Sequence, residues 1–184
     1  MAHAAAKAMT LEAFLVWEAQ SPVRHEFSGG HLWAMGGASL GHGLIASALH
    51  LALGQHLKGS PCQVIASDLK VLVRATSSAY YPDLVVLCEG LESPEALFTE
   101  RPRVLVEVFS PTTEALDRGK KFEDYALLPS LQAYVLVDPG RPSILVKRRA
   151  RLEAQWRTEA LGPEDMLRLP SIEFEHPVID LYQR

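Results

Sequence analysis

The sequence has little of several features that define large classes of proteins. Its 184 residues include two cysteines, Cys62 and Cys88, without the Cys-x-x-Cys spacing typical of zinc sites. We therefore predict two buried free thiols in a reducing cytoplasm. No apolar run is long enough to cross a membrane, and residues 1–9 lack the apolar core of a secretory signal. We expect no membrane partner.

Positive charge is also scarce. The chain has 18 lysines and arginines against 22 aspartates and glutamates, a formal net charge of −4 with neutral histidines. Nucleic-acid-binding domains are commonly basic on at least one surface. Binding of nucleic acid would therefore need a local basic patch, or a metal ion that offsets an acidic site.

What is present is typical of one globular domain. Hydrophobic residues make up 48% of the sequence and charged residues 22%. No repeat or linker divides the chain. We predict a disordered N-terminus over residues 1–9 and, over residues 10–184, a single α/β (α+β) domain with a mixed sheet.

The spacing of apolar residues predicts the helices. Thr10 is placed to cap a helix that Pro22 ends, Ser39 to cap one that runs to about Lys58, and a third is predicted at 115–128. The predicted packed face of the second helix is Leu44, Ala48, Leu51 and Leu57, with Ile45 and Leu53 beside it. Its histidines, His42, His50 and His56, lack the i, i+4 spacing of a helical zinc pair, so we expect solvated or packed side chains.

Short apolar runs predict the strands. A Gly-Gly pair at 29–30 predicts a tight hairpin. Further strands are predicted at 62–66, 69–74, 84–88, 104–109, 131–137, 144–148 and 154–160. The alternation within 69–74 indicates a half-exposed strand, and 75–79 is predicted to be a loop.

The strand at 104–109 carries a charge among apolar residues. Glu107 lies between Val106 and Val108, and an ionised glutamate in a buried strand is costly unless something neutralises it. A partner arginine or lysine would satisfy Glu107, and a metal ion would do so equally well.

A second carboxylate, Asp83, follows Pro82 and precedes the next apolar run upstream. Taken alone, Asp83 is also explained as a turn residue whose side chain caps backbone amides before the strand. Taken with Glu107 on a neighbouring strand, it predicts a site for a hard divalent cation such as Mg²⁺, which prefers a few carboxylate oxygens plus water. Such an ion would activate water and offset the charge of a scissile phosphate.

A lysine is the usual third group of such a site, because it orients the water and stabilises charge on the phosphate. The residue two after Glu107 on the same face is Phe109, which cannot serve. The helix that follows offers Lys120 and Lys121.

Helix geometry separates the two lysines. Lys121 shares a face with Tyr125 and Leu128, a partly apolar stripe suited to face the sheet. Lys120 shares a face with two acidic residues, which is typical of a solvated ion-pair face. We therefore favour Lys121, and a role in surface solubility is the alternative for both.

Taken in order, these motifs resemble the Uma2 family, which is assigned to the PD-(D/E)XK restriction-endonuclease-like superfamily. The resemblance covers nearly the whole chain. It rests on Pro82-Asp83, Val106-Glu107-Val108-Phe109-Ser110-Pro111-Thr112-Thr113, Asp117-Arg118-Gly119-Lys120-Lys121-Phe122 and Tyr134-Val135-Leu136-Val137-Asp138-Pro139.

The resemblance implies a restriction-endonuclease-like core, a mixed central β-sheet flanked by α-helices. It implies Mg²⁺, or alternatively Mn²⁺, as the cofactor, and the implied metal ligands are Asp83, Glu107 and Val108. It places the catalytic lysine on the helix, at Lys121. Phe109 occupies the position where the superfamily usually has lysine, a departure expected within the Uma2 pattern.

A further acidic residue often joins the site in superfamily relatives. Glu26 matches the family's early glutamate and is the candidate. The alternative is a hairpin surface residue paired with Arg24 or Lys70. Asp68 is ranked below Glu26.

The implied function is that of a Mg²⁺-dependent endonuclease that cleaves DNA, in the cytoplasm and as a homodimer. The clearest basic cluster for phosphate contacts is Lys147, Arg148 and Arg149, with Arg151 beside it; a charged, aggregation-resistant edge strand is the alternative. A second hypothesis is a non-catalytic interaction module that retains the nuclease core, which the acidic net charge favours.

Overall fold

The structure, a computed structural model, describes residues 9–88, 93–110 and 114–183. The predicted disorder of residues 1–9 falls, except for Met9, outside these ranges. Within them, no helix is long and apolar enough to cross a membrane.

The described residues form two separate helices and one composite helix. The helices are α1 (Leu11–Glu18), α2 (Leu40–Leu57), α3 (Glu114–Leu116) and α4 (Phe122–Tyr125), with a π-helical turn, Asp117–Lys121, joining the last two. The predicted caps are confirmed, because the side chains of Thr10 and Ser39 accept hydrogen bonds from the amides of Ala13 and His42.

Thirteen strands are described. They are β1 (His25–Ser28), β2 (His31–Ala34), β3 (Gln63–Ala66), β4 (Lys70–Val73), β5 (Ser78–Tyr80), β6 (Leu84–Leu87), β7 (Phe98–Thr99), β8 (Val104–Val108), β9 (Ala133–Val137), β10 (Ile144–Arg148), β11 (Arg157–Leu161), β12 (Met166–Leu169) and β13 (Phe174–Pro177). Short 3₁₀ turns lie at Arg74–Thr76, Pro170–Ile172 and Ile179–Tyr182.

The strands form three sheets. The central sheet has six strands in the order β11-β10-β9-β8-β6-β3, in which β8 and β9 are parallel and the other neighbours antiparallel. This confirms the predicted mixed α+β fold. A five-stranded sheet, β2-β1-β5-β4-β7, and a β12-β13 pair complete the described architecture.

The central sheet is covered on both faces. On one face, α2 and the C-terminal segment pack against the side chains of Val104 and Val106. On the other face, α4 and one side of the five-stranded sheet pack against Leu105. Helix α1 covers the far side of the five-stranded sheet. Alternate residues of β8 therefore face two different apolar layers, and Glu107 has the same parity as Leu105.

The predicted packed face of α2 is wrong in part. The buried stripe is Ile45, Leu49, Leu53 and Leu57, whereas Leu44 and Leu51 are exposed. Apolar residues surround most of this helix, so their periodicity did not select one stripe. The spacing of four residues keeps one row of side chains over the sheet.

The half-exposed strand predicted at 69–74 is also wrong. All four residues of β4 are buried, because Val71 and Val73 pack toward the central sheet while Leu72 packs under α1. The predicted loop at 75–79 is interrupted at Ser78, where β5 begins.

The prediction of free thiols is wrong. Cys62 and Cys88 form a disulfide across 26 residues of sequence. Strands β3 and β6 are antiparallel with Gln63 opposite Leu87, so the next residues outward face each other. The cytoplasmic location stays a prediction, and the disulfide does not favour it, because disulfides persist mainly in oxidising compartments.

Candidate active site

The site lies at one edge of the central sheet, where β8 ends and β6 begins. These strands are antiparallel, with Leu84 opposite Val106, so the residue before β6 and the end of β8 share an edge. Asp83 Oδ2 accepts a hydrogen bond of 2.7 Å from the backbone N–H of Val108. This bond fixes Asp83 beside the residue that follows Glu107.

Glu107 points toward α4 and is 5% exposed. Its Oε1 lies 3.3 Å from Lys121 Nζ and accepts a hydrogen bond of 3.2 Å from the hydroxyl of Tyr125. Burial raises the pKa of Glu107 well above its usual value, and the nearby lysine opposes this only in part. The Glu107 carboxylate, in the middle of the apolar strand, therefore contacts the ammonium of Lys121 and the hydroxyl of Tyr125, both from the following helix.

Lys121 is the cation at the centre of the site and is 4% exposed. Its Nζ lies 2.8 Å from Glu26 Oε1, 3.3 Å from Glu107 Oε1 and 3.2 Å from Asp117 Oδ1. Burial alone would lower the pKa of Lys121, but the three carboxylates raise it above its usual value. The ammonium is held charged.

The two candidate lysines point in different directions. Lys120 has a half-exposed side chain and pairs with Asp124, while Lys121 faces the sheet. Asp124 differs from the expected solvated partner, because it is buried and accepts hydrogen bonds from Ser78 and Tyr80.

Glu26, on β1, belongs to the same cluster. Besides its contact with Lys121, its Oε1 accepts a hydrogen bond of 3.1 Å from the backbone N–H of Tyr81. It is buried, unlike a hairpin surface residue paired with Arg24 or Lys70. Asp68 takes the surface position instead, with a side chain 74% exposed and paired with Arg24.

Two residues of the site were missed by the sequence reasoning, His42 and Asp117. His42 Nε2 lies 3.0 Å from Asp83 Oδ1. A Cβ on Gly41 would meet the carbonyl oxygen of Pro139 at 3.4 Å, so the N-terminus of α2 lies close to the loop after β9. The available signal was the position of His42 in the first helical turn after the Ser39 cap. A search for histidines at zinc-pair spacing does not detect this position.

Asp117 comes inward with Lys121 through the π-helical turn. A π-helical turn contains an extra residue, which shifts the side chains that follow relative to an α-helix. Asp117 and Lys121 are nevertheless four residues apart, a spacing that also places two side chains on one face of an α-helix, so this spacing was the available signal.

The donor set fits a hard divalent cation. Four carboxylates, from Glu26, Asp83, Glu107 and Asp117, share a pocket of about 430 Å³ with one lysine. Burial, the largest cause, and the Asp117 carboxylate raise the pKa of Asp83. Buried atoms His42 Nε2 and Asp117 Oδ1 lie at ion-pair distances but make no hydrogen bond of good geometry. A bound cation would relieve this excess of negative charge.

The present arrangement is open rather than a closed cage. In the described parts of the chain, no three histidine, cysteine, aspartate or glutamate side chains are grouped to hold an ion by themselves. Mg²⁺ commonly takes one or two carboxylates and keeps several waters, so Asp83 and Glu107 are the candidate ligands.

The basic cluster predicted for phosphate contacts lies at the other edge of the sheet. Arg148 pairs with Ala133 at the start of β9, whereas Val108 pairs with Val137 at its end. Its side chains contact protein groups: Lys147 lies over the Phe122 ring, Arg148 pairs with Glu159, and Arg149 donates to backbone carbonyls.

Comparison with known proteins decides the family. Residues 11–178 match the family model described as "Uma2: Putative restriction endonuclease". The chain belongs to the Uma2 family.

Two proteins of Synechocystis sp. (strain ATCC 27184 / PCC 6803 / Kazusa) are similar to this Uma2 chain. "Uncharacterized protein slr1290" is 35% identical over 172 residues, covering 94% of this chain and 90% of the relative. "Uncharacterized protein sll1609" is 28% identical over 145 residues, covering 75% and 79%.

A solved structure shares the fold of this Uma2 chain. It is a crystal structure of "a putative nuclease belonging to DUF820" from Anabaena variabilis ATCC 29413, with a TM-score of 0.77 and 20% sequence identity. The alignment covers 94% of this chain and 97% of that one. The restriction-endonuclease-like α+β fold expected from the resemblance is thereby confirmed.

Proposed function

We propose that this protein is a metal-dependent endonuclease that hydrolyses phosphodiester bonds in DNA, with Mg²⁺ as the ion and Mn²⁺ as an alternative. The observation that carries the proposal is the convergence of Asp83, Glu107 and Lys121 in one buried acidic pocket. The description of the family, and that of the Anabaena protein with the same fold, support a nuclease.

In this proposal, Asp83, Glu107 and Val108 hold the ion. Val108 would contribute its carbonyl oxygen, since its side chain is apolar and its N–H already binds Asp83. When bound, the ion supplies positive charge to the scissile phosphate and lowers the pKa of a water molecule.

The chain's own residues position the reacting groups. Lys121 keeps its proton at Nζ and donates hydrogen bonds to the attacking water or to a phosphate oxygen. Glu26 and Asp117 restrain the ammonium, and the backbone N–H of Tyr81 restrains Glu26 in turn. These contacts set the lysine before substrate arrives, so little reorganisation is needed during the reaction.

The test is cleavage of plasmid DNA in Mg²⁺ or Mn²⁺. We expect the wild type to nick or linearise plasmid, and Asp83→Asn and Lys121→Met to lose this activity. Asp68→Asn is the matched control, because it removes a carboxylate outside the pocket. An inert wild type, or equal cutting by all four proteins, would contradict the catalytic proposal.

A second candidate is a non-catalytic interaction module that retains the fold. One observation favours it: Oδ2 of Asp83 accepts from Val108, Oδ1 lies beside His42, and Glu107 is paired with Lys121, so the carboxylates already have protein neighbours. Calorimetric titration with Mn²⁺ separates the two. Saturable binding of Mn²⁺ that is lost in Asp83→Asn supports the enzyme. Absence of any heat of binding supports the non-catalytic module.

We also propose a homodimer. Among the described strands, β2 and β11 each have one hydrogen-bonded neighbour and an open outer edge to which a second copy can add. Sedimentation equilibrium measures the mass directly, and a mass of 20.3 kDa, that of one chain, would contradict the dimer.

A further inference from the structure

We propose that Trp33 stacks on an unpaired nucleobase, so that the substrate is single-stranded or locally unpaired DNA. The inference rests on the proposed phosphodiesterase function. It names the substrate class of the same site from an aromatic residue that the catalytic groups do not use.

Trp33 lies next to the acidic cluster. In the β1–β2 hairpin it is directly opposite Glu26, so both side chains project from the same face. Directly opposite residues have Cβ atoms about 5 Å apart. Both residues line the pocket that contains Asp83 and Glu107. Trp33 is therefore the cross-strand neighbour of the residue whose carboxylate binds Lys121.

The indole is available for contact. Trp33 is 41% exposed, and all four residues of β2 are exposed on the outer edge of the five-stranded sheet. The described ring contact of Trp33 is with His31, at 6.1 Å between ring centroids. A large aromatic side chain beside a polar pocket is a common element of a binding surface.

The segment after Trp33 leaves room for a flat ligand. Gly36 and Gly37 line the same pocket, and a Cβ built on either would meet no heavy atom within 4 Å. The pocket volume of about 430 Å³ falls in the usual range for small-molecule sites, about 300–1,000 Å³.

The charges around the pocket argue against duplex DNA. Binding of a duplex depends largely on contacts between phosphates and several lysines or arginines. Among the described lining residues, Lys121 is the one lysine and there is no arginine, and three carboxylates already surround its ammonium. The basic residues of β10 are at the far edge of the sheet.

Stacking of a base on Trp33 would supply binding energy that lysine and arginine side chains do not supply at this pocket. Single-stranded nucleic acid is held by aromatic side chains as well as by charge, because every base presents a flat face. In a duplex the bases remain stacked on each other and are unavailable without being extruded. With its phosphate at the cation that Asp83 and Glu107 would hold, an unpaired nucleotide would place its base, or that of its neighbour, on Trp33.

The experiment measures binding separately from cleavage. Oligo-dT and a hairpin duplex of equal length are titrated with Ca²⁺ in place of Mg²⁺, and fluorescence anisotropy gives both affinities. We expect tighter binding of the single strand and a shallow dependence on salt. Trp33→Ala should weaken single-strand binding about 5- to 100-fold, and Trp33→Phe should restore most of it.

The chain offers a matched control. Trp17, on α1, is also 41% exposed and does not line the pocket, so Trp17→Ala should bind like the wild type. Quenching of tryptophan emission by oligo-dT should persist in Trp17→Phe and largely disappear in Trp33→Phe. Thermal unfolding of each variant checks that the hairpin remains folded.

The outcomes distinguish this inference from the proposed function. Single-strand binding that depends on Trp33, without cleavage in Mg²⁺, supports the stacking site and contradicts catalysis. Cleavage with a preference for duplex, or with equal single-strand affinity in wild type and Trp33→Ala, overturns the stacking site and leaves catalysis standing. Loss of both readouts in the wild type overturns both.

Discussion

Two buried cations lie at opposite edges of the central sheet, and their surroundings differ. Lys121, 4% exposed, is surrounded by the carboxylates of Glu26, Glu107 and Asp117. Arg149, 7% exposed, lies over the ring of Trp156, and its described hydrogen bonds end on backbone carbonyl oxygens. The acceptor carbonyls belong to Ala126, Leu128, Leu131 and Leu152.

The difference separates a structural cation, Arg149, from Lys121, the cation that we propose to be functional. The planar guanidinium of Arg149 joins the loop after α4 to the end of β10 through fixed dipoles, and none of its hydrogen bonds within the described residues is to a titrating group. The Lys121 cluster has more acids than bases, and the charge of each member depends on the others. Such an arrangement lowers stability and is typical of a site that awaits a ligand.

The largest expected effect is that of Lys121→Met. We expect activity to fall about 10²–10³-fold, because in the proposed mechanism this change removes a charge that stabilises the transition state. Stability should fall by about 3–5 kcal/mol, because buried carboxylates lose their cation.

The stability loss of Lys121→Met should be smaller at pH 5 than at pH 8, because protonation neutralises the stranded carboxylates. Urea unfolding at both pH values measures this. An equal loss of stability at pH 5 and pH 8 would show that Lys121 is a structural cation, as we expect Arg149 to be.

Arg149→Met should cost about 3 kcal/mol, because several buried carbonyls lose their donors at once. Arg149→Lys should recover only part of this, since an ammonium lacks the guanidinium fork. Urea unfolding should show the same loss at pH 5 and pH 8, and DNA cleavage at 20 °C should match the wild type. If the folded Arg149→Met variant lost cleavage selectively, Arg149 would also be a functional cation, which would contradict the distinction between Arg149 and Lys121.

Glu107→Gln should abolish cleavage and yet raise stability at pH 8 by about 1–2 kcal/mol, because it removes one charge from an acid-rich pocket. The pKa of Glu107 in the folded state lies above its usual value of 4.5. Its contribution to stability is therefore full below pH 4.5 and is lost as pH rises through the folded pKa.

Stability of the wild type should accordingly decline over this window more steeply than that of Glu107→Gln. Thermal unfolding from pH 4.5 to pH 8 gives both curves. Parallel curves would contradict the raised pKa of Glu107 in the folded state.

The smallest expected effect is that of Asp68→Asn. Its exposed pair with Arg24 should contribute less than about 0.5 kcal/mol. Activity and melting temperature should match the wild type within error. Loss of Mn²⁺ binding in this variant would bring Asp68 into the metal site, against its position on the surface.

Much of the site was predictable from local patterns. Glu107 stood out as a carboxylate inside an apolar strand, and 3.6-residue periodicity distinguished Lys121 from Lys120. These are properties of single elements, which the sequence specifies by the faces they bury. The roles of these residues in catalysis stay predictions.

The rest depended on how elements meet. The disulfide required the β3–β6 register, and the inward position of His42 required the approach of α2 to the loop after β9. The hydrogen bonds of Arg149 required backbone carbonyls from the loop after α4 and from Leu152 to lie around one guanidinium. Neither periodicity nor composition encodes contacts of this kind, since each depends on the relative placement of distant segments.

The π-helical turn at Asp117–Lys121 makes the site sensitive to the length of its helix. Deleting Gly119 would bring the preceding and following residues together by one position, a rotation of about 100° on an α-helix. Such a deletion leaves every charged residue of the pocket in the sequence but changes which of them face it. In this helix, the count of residues is as much a part of the site as their identity.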